Sequence, residues 1–257
     1  MQARIVGAAA GARWLADGWR LFRAAPLGWL AAVFGYWLLM TIVSVVPLIG
    51  VAAAAILVPA FSVGFMALAR AAGRGGSLEL ALLFDGFRNE PRTQIILGVV
   101  YLGCLALLLS ATTLVDDGAL ASWMVTGRRP ADDVLQSEAF FGALVTAAAL
   151  YLPVMMAFWF APPLAAWHAT GAAKALFFSF AASIMNWRAF LAYGVAAAVA
   201  TLLIPFLALT LLTMASAGAL RAPVATLVFP LLLVMLPTLF ASFYASYRDV
   251  FGYDAAP

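Results

Sequence analysis

Charge is scarce in this chain, and so are the residues that carry out most protein chemistry. Only 10% of the 257 residues are Asp, Glu, Lys or Arg, with one cysteine and one histidine. The single Cys104 lies inside the apolar run 95–109, so neither a disulfide framework nor a cysteine-based zinc site can be assembled. His168 has no second histidine to share a metal and no carboxylate near it in sequence to orient it as a base. The long apolar stretches lack the carboxylates, histidines and basic groups on which ion-coupled transporters and proton pumps rely. The net charge of +3 is modest, and its arginines sit at the ends of apolar runs. That placement suits anionic lipid headgroups and argues against nucleic acid as a partner.

Apolar residues are what the chain has in quantity. They make up 66% of it, and the mean hydropathy is +1.05, too much to fold around one water-facing core. A bilayer must therefore solvate the protein. Charge-free stretches run over 27–46, 51–69, 93–115, 139–167, 189–220 and 222–247. A helix needs about 20 apolar residues to cross the hydrocarbon, so each is long enough. The fourth and fifth exceed that need, and their membrane portions fall at 140–161 and 189–212. An arginine at mid-membrane costs about 2.5–3.5 kcal/mol, which makes Arg23, Arg70, Arg92, Arg188 and Arg248 boundary markers. The expected fold is all-α: a polytopic bundle of six transmembrane helices in three hairpins, each preceded by a cytoplasmic interfacial amphipathic helix. Residues 1–257 then form a single integral membrane domain.

Punctuation supports this organisation. Pro47 and Gly50 predict a tight hairpin between the first two spans. The polar gap 116–138 carries Asp116, Asp117, Asp132, Asp133 and Glu138 and reads as an extramembrane loop. Arg20 and Arg23 interrupt the N-terminal region before Pro26, so no cleaved export signal is expected there. Of the 14 Lys and Arg residues, all but Arg128, Arg129 and Arg221 fall on one side of the six-span scheme. That bias predicts cytoplasmic N- and C-termini with the acidic loop outside, in the periplasm if the host is a Gram-negative bacterium.

A threefold repeat is also expected, over 14–73, 78–171 and 172–255, each unit an amphipathic segment followed by two spans. The apolar stripes are Leu15, Trp19 and Phe22; Leu80, Leu83, Phe84 and Phe87; and Phe177, Phe180 and Ile184. Against them lie Arg13, Asp17 and Arg20; Asp85, Arg88 and Asn89; and Ser179, Ser183 and Asn186. Trp19 precedes Pro26 by the spacing that separates Phe84 from Pro91 and Phe180 from Trp187. Pro59, Phe65 and Arg70 recur in register as Pro237, Phe243 and Arg248, whereas the middle unit offers Pro162, Pro163, Trp167 and His168 in another register. Helices of this kind should lie in the headgroup plane.

Several of these elements together carry a resemblance: Trp19 to Phe22 before Pro26, the hairpin at Pro47 and Gly50, Phe160 to Pro163 with Trp167, and Leu176 with Ser179. Over nearly its whole length the chain resembles an uncharacterised proteobacterial family of six-span inner-membrane proteins. More distantly it is similar to the membrane domain fused to some glycerophosphodiester phosphodiesterases. The resemblance implies topology rather than chemistry, since one histidine cannot supply the catalytic set of the soluble phosphodiesterase domain.

No catalytic, cofactor or metal site is expected. The pairs Asp116/Asp117 and Asp132/Asp133 lack an EF-hand register and read as a solvated loop. Gly73, Gly75 and Gly76 follow no strand and lead into no Gly-Lys-Ser, so they read as a turn rather than a phosphate cradle. Arg70, Arg74, Arg88 and Arg92 flank that turn and form the candidate lipid-headgroup cluster. Pro59, Pro153, Pro205, Pro230 and Pro237 lie inside spans, as kinks or as breaks lining a cavity. The expected function is that of a non-enzymatic component that binds a membrane-protein partner or organises lipid. A transporter or flippase for an apolar or amphiphilic solute is the alternative.

Overall fold

The computed structural model describes residues 2–46, 48–215 and 228–252, and among them every regular element is a helix. Five helices are long and apolar enough to cross a membrane: Pro26–Val43, Ile49–Gly73, Pro91–Asp116, Glu138–His168 and Trp187–Ala215. They coincide with the first five expected stretches. The start of the sixth stretch, together with Pro47 and Arg221, lies outside the described residues; from Val228 the chain is helical to Phe251.

Along the chain the helices are α1 (Ala9–Ala24), α2 (Pro26–Val43), α3 (Ile49–Gly73), α4 (Asp85–Arg88), α5 (Pro91–Asp116), α6 (Ala119–Thr126) and α7 (Asp132–Leu135). They continue with α8 (Glu138–Phe158), α9 (Ala161–His168), α10 (Ala172–Met185), α11 (Trp187–Ala198), α12 (Ile204–Ala215) and α13 (Val228–Phe251). A 3-10 turn, Leu80–Phe84, leads into α4, and a π-helical turn, Val199–Leu203, joins α11 to α12. Pro205, which has no N–H to donate, is the second residue after that π turn.

The exterior is apolar as well as the core, and small polar residues are buried beside it. Each of the five spans turns large apolar side chains outward, with Leu27 81% and Leu114 88% exposed, while Thr112, Ser179, Ser183, Thr238, Ser242 and Ser246 are buried. Small hydroxyl-bearing residues let helix backbones approach closely, and the apolar exterior is what a lipid solvent accepts. Their hydroxyls are spent within the protein: Thr112 donates to the Leu109 carbonyl at 2.8 Å and Ser246 to that of Phe243 at 2.7 Å.

The chain divides into two compact units. The first comprises Met1–Tyr36, Gly64–Leu83 and Ala182–Pro257. Here α1 buries Ala10, Trp14, Gly18 and Phe22, residues at helical spacing on one face. That face packs on α11 and α13 through two glycines. A Cβ at Gly11 would lie 2.0 Å from the Ala189 carbonyl oxygen, and one at Gly18 would lie 2.3 Å from that of Thr238. Polar bonds hold the seat. Trp14 Nε1 donates to Asp249 at 2.9 Å, and Arg248 donates to Asp17, also at 2.9 Å. Tyr193 and Ser242 hydroxyls meet at 2.7 Å, and because the Ser242 proton is spent on the Leu239 carbonyl, Tyr193 is the donor. Pro26 ends α1 as expected, and Trp29 Nε1 donates back to the Leu21 carbonyl at 3.1 Å. Phe65 stacks on Phe240 with ring centroids 4.2 Å apart.

The second unit comprises Trp37–Val63 and Phe84–Ala181. Its hairpin turns between Val43 and Ile49, with Leu48 in the left-handed region, and is so tight that a Cβ at Gly50 would lie 2.2 Å from the Val43 carbonyl. α3 packs on α4 and α5 through Gly86 and Gly98, whose added Cβ atoms would meet the Ala60 and Ile56 carbonyls at 2.2 and 2.0 Å. Phe61 takes Phe84 and Phe87 edge-on. Gln94, 2% exposed, donates to the Pro162 carbonyl at 2.9 Å and ties α5 to α9. The bend between α8 and α9 is closed by Ser179, whose hydroxyl accepts from Phe160 N at 2.9 Å and donates to the Met156 carbonyl at 2.8 Å.

All three amphipathic segments differ from expectation: on α1 the packed face is Ala10, Trp14, Gly18 and Phe22, and Trp19 of the expected stripe is exposed. The second is a 3-10 turn followed by four helical residues, with Gly86 pressed directly on the Ala60 carbonyl of α3. The third, α10, is one helix, but Ser179, Ser183 and Asn186 are buried while Phe177 is 65% and Ile184 47% exposed. Its polar face points into the protein.

Candidate functional site

The four arginines expected to grip a headgroup are divided between the units. Arg70 and Arg74 belong to the first, Arg88 and Arg92 to the second. Arg70 is half-buried at the end of α3; Arg74, Arg88 and Arg92 are exposed and make no ion pair among the described residues. The glycine turn between Arg70 and Ser77 spends its amides on itself. Arg74 N donates to the Arg70 and Ala71 carbonyls, Gly75 N to Ala72 and Gly76 N to Ala71, with Gly75 at φ +69°. These bonds finish α3 and leave the turn's N–H groups aimed at the helix end rather than at a phosphate.

The acidic gap 116–138 is folded rather than open. Asp116 is 8% exposed and caps α6 with both oxygens, accepting from Gly118 N at 3.0 Å and Leu120 N at 2.7 Å. Arg129 pairs with Asp132 at 2.7 Å. Ser137 starts α8 by accepting from Phe140 N at 3.1 Å. Leu120, Phe140 and Ala143 form a small core with Trp123, Val134 and Leu135 packed against it. Among the described residues no three His, Cys, Asp or Glu side chains are grouped to hold a metal ion. His168 ends α9, its carbonyl approached by the Thr170 hydroxyl at 3.4 Å.

Three features were not identified from the sequence. The first is a cavity of about 580 Å³ in the second unit, between the start of α3 (Leu48, Val51, Ala52, Ala55), α5 (from Leu102 to Leu109), α6 (Leu120, Met124, Val125) and α8 (Leu144 to Tyr151). Every lining side chain is a hydrocarbon or thioether except Tyr151, whose hydroxyl meets that of Tyr101 at 3.1 Å. The alanines at 52, 55, 106, 147 and 148 leave the space open.

The second is a clamp on the N-terminal segment of the first unit. Asn186, 1% exposed, accepts from Val6 N at 2.8 Å and donates to the Arg4 and Ala182 carbonyls at 3.0 and 2.9 Å. Arg4 N donates to the Val250 carbonyl at 2.8 Å. The third is the pair of Arg–Trp stacks on that unit's exterior: Arg23 over Trp19 at 5.6 Å and Arg188 over Trp187 at 5.5 Å.

No protein-family model and no solved structure matches the chain. A curated probable inner membrane protein of Burkholderia thailandensis is 37% identical over 258 aligned residues, which cover 98% of this chain and 94% of the relative. At that identity over nearly the full length the two share one fold, and the apolar helices and apolar exterior fit a multi-pass inner-membrane protein. The chain belongs to the family of that probable inner membrane protein.

Proposed function

We propose that this protein is a non-enzymatic, lipid-organising component of the inner membrane that takes a hydrocarbon tail into the cavity of its second unit. The observation that carries this reading is the cavity itself: about 580 Å³, almost wholly apolar, in a protein whose exterior is lipid-facing. That volume is in the range of sites that hold a small organic ligand. Its lining offers a headgroup only the Tyr151 hydroxyl, already engaged with Tyr101, so the occupant is the tail of a phospholipid or other amphiphile. The arginine bias supports cytoplasmic termini, with α13 taken as the sixth span.

The threefold repeat belongs to the same proposal. In two repeats the residue before the key aromatic, Gly18 before Trp19 and Leu83 before Phe84, packs on the position five residues after the span proline, Ser242 and Gly64. In the third, Ser179 before Phe180 bonds Phe160 and Met156. The matching register of the first two seats, and a bonded seat in another register in the third, support three related units. The likeness to the phosphodiesterase-fused membrane domain rests on shared punctuation residues.

The second reading, a transporter or flippase for an amphiphile, is favoured by the π turn and Pro205 interrupting the fifth span. One experiment separates the readings. The full chain is extracted into nanodiscs, and the retained lipids and proteins are identified by mass spectrometry. Ala52→Trp and Ala148→Trp, which fill the cavity, are carried alongside. Loss of a retained amphiphile in the filled variants supports tail binding, and no retained amphiphile in any variant refutes it. A stoichiometric protein partner would instead identify an assembly subunit. Amphiphile movement between leaflets of reconstituted vesicles would favour the transporter.

A further inference from the structure

We propose that the outer face of α1, together with the first turn of α11, is a docking surface for the phosphates of an acidic phospholipid leaflet. The proposal rests on reading the chain as a lipid-facing membrane protein but uses a different surface from the cavity. It also differs from the arginine cluster around the glycine turn.

The inner face of α1 is fixed by burial of Trp14, Gly18 and Phe22, so its orientation is set by packing. What remains outside is Arg13, Ala16, Trp19, Arg20 and Arg23, all exposed. The single acid of the helix, Asp17, is turned inward: its side chain is 13% exposed and is held by Arg248 at 2.9 Å, with Arg20 closing on its other oxygen. With Asp17 removed from the surface, the face is purely cationic. Neither Arg13, Arg23 nor Arg188 makes an ion pair among the described residues.

Two further observations select a membrane surface rather than a protein partner. Both Arg–Trp stacks sit where a span begins: α1 passes through Pro26 into the span headed by Leu27, 81% exposed, and Trp187 and Arg188 open the span Trp187–Ala215. Tryptophan at a span end takes the headgroup level, apolar body inward and N–H outward, and a guanidinium stacked on its ring is held at that depth. The two starts also belong to one packed assembly, since Gly11 of α1 rests on the carbonyl of Ala189, the residue after Arg188. Beside Arg188 a cavity of about 420 Å³, lined by residues 5–8 and 185–188, offers room for a headgroup. A phosphate diester matches a guanidinium in charge and in paired acceptor geometry.

The test reconstitutes the full chain in nanodiscs of phosphatidylethanolamine with roughly one-quarter phosphatidylglycerol, an acidic fraction that gives the leaflet a negative potential. The ratio of the two lipids retained after gentle extraction is then read by native mass spectrometry. The wild type is expected to enrich the acidic lipid. Replacing Arg13, Arg23 and Arg188 together by Gln lowers that enrichment severalfold, up to about fivefold per arginine at low salt. Replacing Arg74, Arg88 and Arg92 by Gln leaves most of it. Unchanged enrichment in the first set, or an equal loss in both, overturns the proposal. Should the first set aggregate, the wild type is read across ionic strength instead, and an enrichment that does not fall as salt rises overturns it. Total tail occupancy reports separately on the cavity: the filled variants change it without changing the headgroup ratio, and the arginine variants do the reverse.

Discussion

Replacing Gly18 by Ala tests the packing argument most directly, because one added methyl group meets only atoms that cannot swing aside. The new Cβ would lie 2.3 Å from the Thr238 carbonyl oxygen and 2.9 Å from both Ser242 Cβ and Ser242 N. An ordinary carbon–oxygen contact is about 1 Å longer than the first of these, so α1 must withdraw from α13 by about that much, and overpacking of this kind costs about 1–3 kcal/mol. The retreat also stretches the Arg248–Asp17 bond at 2.9 Å. At roughly 2–4 °C per kcal/mol for a chain of this size, the midpoint of thermal unfolding in detergent should fall by about 2–12 °C. Gly103 and Gly194 are the controls: both are helical, and an added Cβ at either meets nothing within 4 Å. Alanine there should be neutral or stabilising by up to about 1 kcal/mol, since glycine is the poorer helix former. Midpoints are read by fluorescence-detected size exclusion after heating, for Gly18→Ala, Gly103→Ala and Gly194→Ala in parallel. A Gly18→Ala midpoint equal to or above those of the controls would refute the close seat of α1.

Asn186→Ala removes both bonds that hold residues 4 and 6, so the N-terminal segment should become cleavable by protease in folded protein, with a stability loss of about 2–3 kcal/mol. An unchanged cleavage pattern would show that Arg4 N on Val250 suffices. Ser179→Ala strips the hydroxyl that serves Phe160 N and the Met156 carbonyl and leaves the amide buried without its acceptor; the expected cost is about 1–3 kcal/mol, and a midpoint matching wild type would contradict it. Tyr193→Phe and Ser242→Ala, alone and combined, should show a coupling of about 0.5–1.5 kcal/mol in a double-mutant cycle, whereas additive effects would mean the 2.7 Å bond contributes nothing. Asp17→Asn should cost about 1 kcal/mol or less, because Arg248 is 35% exposed, and the loss should shrink at high salt.

The residues that punctuate the chain were legible. Pro26, Gly50 and Pro91 mark helix boundaries from sequence alone because each acts through its own backbone, and Gly73 to Gly76 form a turn for the same reason. Two-faced segments were legible as two-faced, but not for which face points in. In α10 the periodicity of Phe177 and Ile184 against Ser179 and Asn186 is plain, yet in lipid the usual sign reverses: hydroxyls and amides find partners inside, and rings are solvated by acyl chains. Trp14 shows a related gap. The stripe expected on α1 was Leu15, Trp19 and Phe22, whereas the packed face is Ala10, Trp14, Gly18 and Phe22, because glycine scores as nothing in an apolar count and as everything in a close helix contact. Long-range partners were invisible. No local pattern ties Asp17 to Arg248, Val6 to Asn186 or Gln94 to Pro162, and the cavity depends on five alanines drawn from three separate helices.

The seat of α1 on α13 also constrains how the protein is made. Asp17 and Arg248 are 231 positions apart, so the first helix leaves the ribosome long before its partner exists. At about 5–20 residues per second, roughly 12–46 s pass between the two. Through that interval the buried face of α1 has no α13 to lie against, and the insertion machinery, a chaperone or the bilayer surface must shelter Trp14 and Phe22. Early segments can enter the membrane as they emerge, but α1 reaches its final seat only when α13 arrives, making synthesis of α13 the step that closes this contact.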